Sequence, residues 1–203
     1  MNTKSMLRRG LLTCTSVVIV GVAATQANAQ TAAPTTTQAT YRTYNANITE
    51  AEVLAAQKAW GKALIQISDD FTKSGIAKAR ATAGAIIDAA YGYNMGPVLF
   101  KPTLTTSPQT FRTTREGALA YFVGGDTKFP RDAGFALKGW KAVDTENAAI
   151  HINGDVATSM GNVSFTDTAG KKTVVDKTWT FKKDDQQVVR IVVHHSSLPF
   201  TAN

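Results

Sequence analysis

Strand-length runs fill the C-terminal third of the chain, and each ends at a turn signal. Gly139 to Ile152 gives way to Asn153-Gly154, a strong short hairpin signal because both residues accept the positive φ of a tight loop. Val156 to Thr166 is followed by Ala169-Gly170, Thr173 to Lys182 by Asp184-Asp185, and Val188 to Ser197 by Pro199. Short connections of this kind join neighbouring antiparallel strands, so this region is expected to form a meander.

The segment before it reads as helix. Thr49-Glu50-Ala51-Glu52 is a capping box, in which the threonine hydroxyl accepts an amide proton and Glu52 reaches back to the Thr49 amide. Val53, Ala56, Trp60, Leu64 and Ile67 then recur at helical spacing. This helix is expected to run to about Lys73 and stop near Gly75. A second, with Ala79, Ala83, Ile86, Ile87 and Ala90 as its apolar stripe, spans about Ile76 to Tyr91. Pro97 to Leu104 is a short extended segment. A second capping box, Thr113-Thr114-Arg115-Glu116, opens a short helix that ends at Gly124-Gly125. Helices first and an antiparallel meander afterwards define an α+β domain. A curved sheet wrapped over the long N-terminal helix leaves a central pocket between them.

Ahead of the domain, Lys4, Arg8 and Arg9 precede an apolar run from Leu11 to Val22, interrupted by Thr13 to Ser16 and Gly21. Ala27-Asn28-Ala29 then supplies a small-x-small cleavage pattern. That order is the order of a secretory signal. The apolar run is shorter than the roughly 20 residues a membrane span requires. Residues 1–29 are therefore expected to be removed, residues 30–47 to form a tether rich in Thr, Ala and Gln, and residues 48–203 to be the exported domain, periplasmic or secreted and not inserted in the membrane. The single cysteine, Cys14, leaves with the signal, and so do three of the positive charges behind the net +7. What remains is mildly basic, without the footprint of a nucleic-acid binder.

Metal chemistry has few ligands to draw on. The histidines are His151, His194 and His195, and adjacent residues of a strand point to opposite faces. No zinc spacing, phosphate loop or nucleophile elbow is present. The dense polar cluster is His194-His195-Ser196-Ser197, at the end of an apolar strand. If strict alternation holds, Val189, Ile191 and Val193 share a side with His195 and Ser197, and that apolar side faces the pocket. His194 and Ser196, equally spaced, fall with Arg190 on the other side. Thr103 and Tyr121 are further pocket candidates. Trp60, Trp140 and Trp179 read as core or rim aromatics, and Lys182-Lys183-Asp184-Asp185 as a solvated turn.

The run from Gly139 to Pro199 resembles the association domain of calcium/calmodulin-dependent kinase II, which has a nuclear-transport-factor-2-like fold. Ile150-His151-Ile152-Asn153-Gly154-Asp155 and His194-His195-Ser196-Ser197-Leu198-Pro199 carry the likeness. Tyr91 to Thr103 and Phe111 to Gly125 are closer to a bacterial group often labelled phosphoribosyl-AMP cyclohydrolase, which looks like the metal-free, cyanobacterial type of iota-class carbonic anhydrase. The resemblance covers about Thr49 to Phe200. It implies a cone of N-terminal helices on a curved antiparallel sheet and reversible hydration of carbon dioxide to bicarbonate with no cofactor. It also implies a bicarbonate pocket lined by a threonine, a tyrosine, and a histidine and serine two apart in the last strand. The matching positions are Thr103, Tyr121, His195 and Ser197, as both catalytic and substrate-binding residues.

Fold-level analogy adds the expectation of a homodimer. The alternative to an enzyme is a small-carboxylate-binding or oligomerisation module of the association-domain type. An isomerase of the same fold would need a buried carboxylate base, for which Asp144, Glu146 and Asp176 are the strand residues available.

Overall fold

A computed structural model describes residues 45–202. The expected signal segment, and all of the tether except its last three residues, lie outside them. Helix α1 spans Glu50–Ala90 and starts at the expected capping box. The Thr49 hydroxyl accepts from the Glu52 amide at 3.3 Å, and the Thr49 amide donates to Glu52 Oε2 at 2.8 Å. At Gly75 the backbone takes φ 78°, which splits α1 into two helical segments at the expected place. Val53, Trp60, Leu64 and Ile67 of the first segment and Ala79, Ala83 and Ile87 of the second are buried.

Strand β1 is Leu99–Lys101, and helix α2 is Arg115–Val123. The cap of α2 differs from expectation. Thr114, not Thr113, is the N-cap, and its hydroxyl accepts from the Gly117 amide at 3.2 Å. The third helical position is thus a glycine with no side chain to return the bond, and no reciprocal box forms. A single turn of 3-10 helix, Phe135–Leu137, precedes the meander.

The meander is β2 (Trp140–Asn153), β3 (Val156–Asp167), β4 (Lys172–Lys183) and β5 (Val189–Ser197). Asn153 still pairs with Val156, so the first hairpin loop is Gly154-Asp155, with Gly154 at φ 60°. The sheet order is β1-β5-β4-β3-β2, with β1 parallel to β5 and the rest antiparallel. Register shifts interrupt β2–β3 and β4–β5 and bend the sheet around the helices. Val163, Phe165, Val175, Trp179, Phe181 and Ile191 line its inner face in one core with α1 and α2. Each such side chain contributes about 1.5–3 kcal/mol when fully buried. This is the α+β architecture expected.

Candidate active site

Strand β5 does not alternate strictly. Thr180 pairs with Val193 and Phe181 with Ile191, so Val192 is an extra residue with no partner on β4. The chain leaving α1 docks at the same point, where the Gly92 amide donates to the Ile191 carbonyl at 3.0 Å. A bulge of one residue exchanges the two faces for everything beyond it. Ile191 faces the core before the bulge. After it, His194 and Ser196 face inward, at 2% and 1% exposure. His195 is exposed and Ser197 only half-buried. The expectation that His195 and Ser197 line the pocket is thereby corrected, because it rested on unbroken alternation.

Inward-facing Ser196 sits opposite Lys177 of β4, and His194 opposite Trp179. On its other side β5 pairs with β1, placing Phe100 beside His194. Two residues past β1, after buried Pro102, comes Thr103, whose hydroxyl is hydrogen bonded to that of Ser196 at 2.6 Å. The Lys101 ammonium donates to the Ser196 carbonyl at 2.8 Å. Tyr121, on α2, packs edge-on to Phe100 and stacks on Phe135. Burial pushes its phenol well above the usual range, opposed by the Leu104 backbone and the Thr103 side chain. The structure thus brings Thr103, Tyr121 and Ser196 together at one end of the sheet.

Behind them runs a buried hydrogen-bonded chain. Trp60 Nε1 donates to the Tyr91 hydroxyl at 2.9 Å, that hydroxyl lies 2.8 Å from His194 Nδ1, and His194 Nε2 lies 2.5 Å from Lys177 Nζ. Aromatic rings enclose it. Phe100 is 4.3 Å from the imidazole centroid, and the Lys177 nitrogen lies 5.0 Å and 5.1 Å from the ring centres of Trp60 and Trp179. Burial, then Lys177 and His195, hold the His194 imidazole well below its usual range. Burial, then Lys101, do the same to the Lys177 ammonium. Among the described residues no carboxylate pairs with Lys177. A buried cation without a counter-ion costs several kcal/mol. The indole N–H of Trp179 is a buried donor without a partner.

Trp60 takes the core place expected of it, Tyr91 opens one of the family-like runs, and Lys177 carries no mark in the motifs. The signal for Lys177 was nevertheless present: Val175, Lys177, Trp179 and Phe181 share one phase of β4, and a lysine in the apolar phase of a strand is a buried lysine. Asp144, Glu146 and Asp176 are exposed, which leaves the isomerase reading without a base. The buried carboxylates Asp132 and Asp184 are committed to Arg112 and Arg190. Among the described residues no group of three or more His, Cys, Asp or Glu is placed to hold a metal.

The family model for metal-independent carbonic anhydrase matches residues 51–198. A metal-independent carbonic anhydrase from Nostoc sp. is 63% identical over 156 residues, which make up 77% of this chain and 76% of that protein. The crystal structure of a cyanobacterial iota-carbonic anhydrase complexed with bicarbonate is similar at 60% identity. It covers 80% of this chain and 99% of its own, with a TM-score of 0.78. A calcium/calmodulin-dependent protein kinase II association domain from Xanthomonas campestris is a more distant likeness, at 20% identity and a TM-score of 0.48, covering 79% of this chain and 95% of its own. The chain belongs to the metal-independent carbonic anhydrase family.

Proposed function

We infer that this chain catalyses the reversible hydration of carbon dioxide to bicarbonate, and that the work is done by Thr103, Tyr121, His194 and Ser196. The observation that carries the residue assignment is the inward turn of His194 and Ser196 beside the Thr103 hydroxyl, in a chain of this family. The bicarbonate held by the 60%-identical relative supports the same ligand here. An enzyme is favoured over a carboxylate-binding module because the matching family is one of enzymes.

The chemistry follows from the groups present. The buried aromatic rings of Phe100, Tyr121 and Trp179 packed around His194 and one another favour an apolar gas over ions. As a water oxygen bonds to carbon, charge builds on the carbon dioxide oxygens. Hydroxyls fixed before the reaction stabilise it without reorganisation, each contributing up to about 10²–10³ in rate. The bond between Thr103 and Ser196 makes one of them a donor already aimed at an oxygen, which an incoming anion can take over. His194, kept neutral by burial, can accept a proton.

Export to a periplasmic or secreted location is supported by the composition of residues 1–29. No helix among the described residues is long and apolar enough to cross a membrane. Exposed Met160 and Val174 on the outer face of the sheet favour a homodimer. The test of the activity is stopped-flow carbon dioxide hydration by the purified chain in excess chelator. A rate above buffer is expected, and a rate equal to buffer overturns the assignment.

A further inference from the structure

The hydrogen-bonded chain behind the site fixes where its protons are. An indole N–H can only donate, so Trp60 occupies a lone pair of the Tyr91 oxygen. Tyr91 is 1% exposed, and its own proton must reach an acceptor. The remaining partner is His194 Nδ1, at 2.8 Å. A neutral imidazole that accepts at Nδ1 carries its proton at Nε2. That nitrogen faces Lys177 Nζ, and an ammonium has no lone pair to receive the bond. Within this chain, the arrangement that gives the Trp60 N–H, the Tyr91 O–H and the imidazole N–H an acceptor each has Lys177 as a neutral amine.

The surroundings agree. The charged or titratable groups around Lys177 are His194 and His195 on β5, Lys101 on β1 and Tyr91 at the end of α1. None is an anion at rest, and the residue opposite on β3 is Gly161. Yet the amine lies against the Trp60 and Trp179 rings, whose electron-rich faces hold a cation when one forms. The cradle tolerates both protonation states.

We propose that Lys177 is the proton reservoir of the hydration reaction: an amine at rest, it takes up through His194 the proton that water loses. This rests on the activity inferred above. The water oxygen bonds to carbon, one carbon–oxygen π pair moves onto oxygen, and bicarbonate keeps one of the two water protons. The other enters through the Tyr91 hydroxyl, whose own proton passes to His194 Nδ1. The Nε2 proton passes to Nζ. Imidazole and phenol end neutral, and once bicarbonate has left, the ammonium returns its proton to solvent buffer through the same His194–Tyr91 path before the next turnover. Dehydration runs the same path backwards from the ammonium. Lys177 acts through His194 and need not touch the substrate.

The test uses the full-length chain with 15N-labelled lysine, alongside Lys177→Met and Lys177→Arg. In the wild type, one side-chain nitrogen resonance, missing from both variants, is expected to be that of an amine at about pH 7, far below the ordinary lysine range. The hydration kcat is expected to fall on the acid side with the midpoint of that resonance. Both variants are expected to lose about 10²-fold or more in kcat with little change in KM. Arginine restores a cation over the indoles but has no usable lone pair, so a merely structural cation would be rescued by it. Rescue by arginine, an ammonium resonance across the active pH range, or a folded Lys177→Met variant with wild-type kcat and pH profile would each overturn the proposal. A wild type without hydration activity instead fails the functional assignment itself.

Discussion

The hydroxyl oxygens of Thr103 and Ser196 lie 2.6 Å apart, although 93 residues separate them in sequence. The parallel pairing of β1 with β5 is what makes them neighbours. Because the two act on one oxygen position, their effects are expected to overlap. Thr103→Ala and Ser196→Ala should each lower hydration kcat/KM by about 10²-fold. The double variant should cost less than the product of the two, and Thr103→Ser should retain most activity. Initial-rate kinetics on the four variants decide this.

The bulge at Val192 yields a separate expectation for each face of β5. His194→Ala should lose about 10²-fold or more in kcat, the scale of a lost proton acceptor. His195→Ala and Ser197→Ala, on the outward face, should stay within a few-fold of wild type. The reverse pattern would mean that β5 is read from the wrong side.

Stability should rise with pH. Both His194 and Lys177 have folded pKa values below those of the unfolded chain, 6.5 and 10.5. Between the two values the unfolded state binds a proton that the folded state does not, so the folded state gains as pH climbs. For His194 that gain is complete once pH passes 6.5, and for Lys177 it continues toward 10.5. The slope for one proton is at most about 1.4 kcal/mol per pH unit. Chemical denaturation at about pH 7 and about pH 9 should show the wild type more stable at the higher value. Lys177→Met should flatten that alkaline slope, leaving the part contributed by Lys101, whose pKa burial also lowers.

Arg112 and Asp132 form a buried, two-pronged ion pair, Nε to Oδ2 at 2.8 Å and Nη2 to Oδ1 at 2.7 Å, that anchors the loop leading into the 3-10 turn under Tyr121. Asp132→Ala leaves the guanidinium buried without its counter-ion and should cost about 3–5 kcal/mol. The shift of the urea midpoint measures it.

Most of the fold is legible in the sequence because the signals are local. The Thr49 box, the break at Gly75 and the hairpin at Gly154 each depend on residues within a turn of one another. Thr103 and Tyr121 are marked by the family-like runs around them, and the structure sets Thr103 beside Ser196 and Tyr121 beside Thr103. The choice within His194-His195-Ser196-Ser197 is different in kind. It depends on whether β5 carries an extra residue, and that is decided by pairing across the hairpin with β4 and by the chain leaving α1, which is far from Val192 in sequence. The Trp60–Tyr91–His194–Lys177 chain is equally non-local, assembled from one helix, its end and two strands.

The unpaired Val192 acts as a phase shifter between two halves of one strand. Residues before it answer to the packing of α1, and residues after it to the reacting groups, so either half can drift in sequence without dragging the other out of step. The same arrangement makes the site sensitive to chain length. One residue gained or lost between Ile191 and His194 would swap an interior imidazole for an exterior one while leaving every residue type in place. Homologous chains are therefore best aligned on the bulge and not on the histidines.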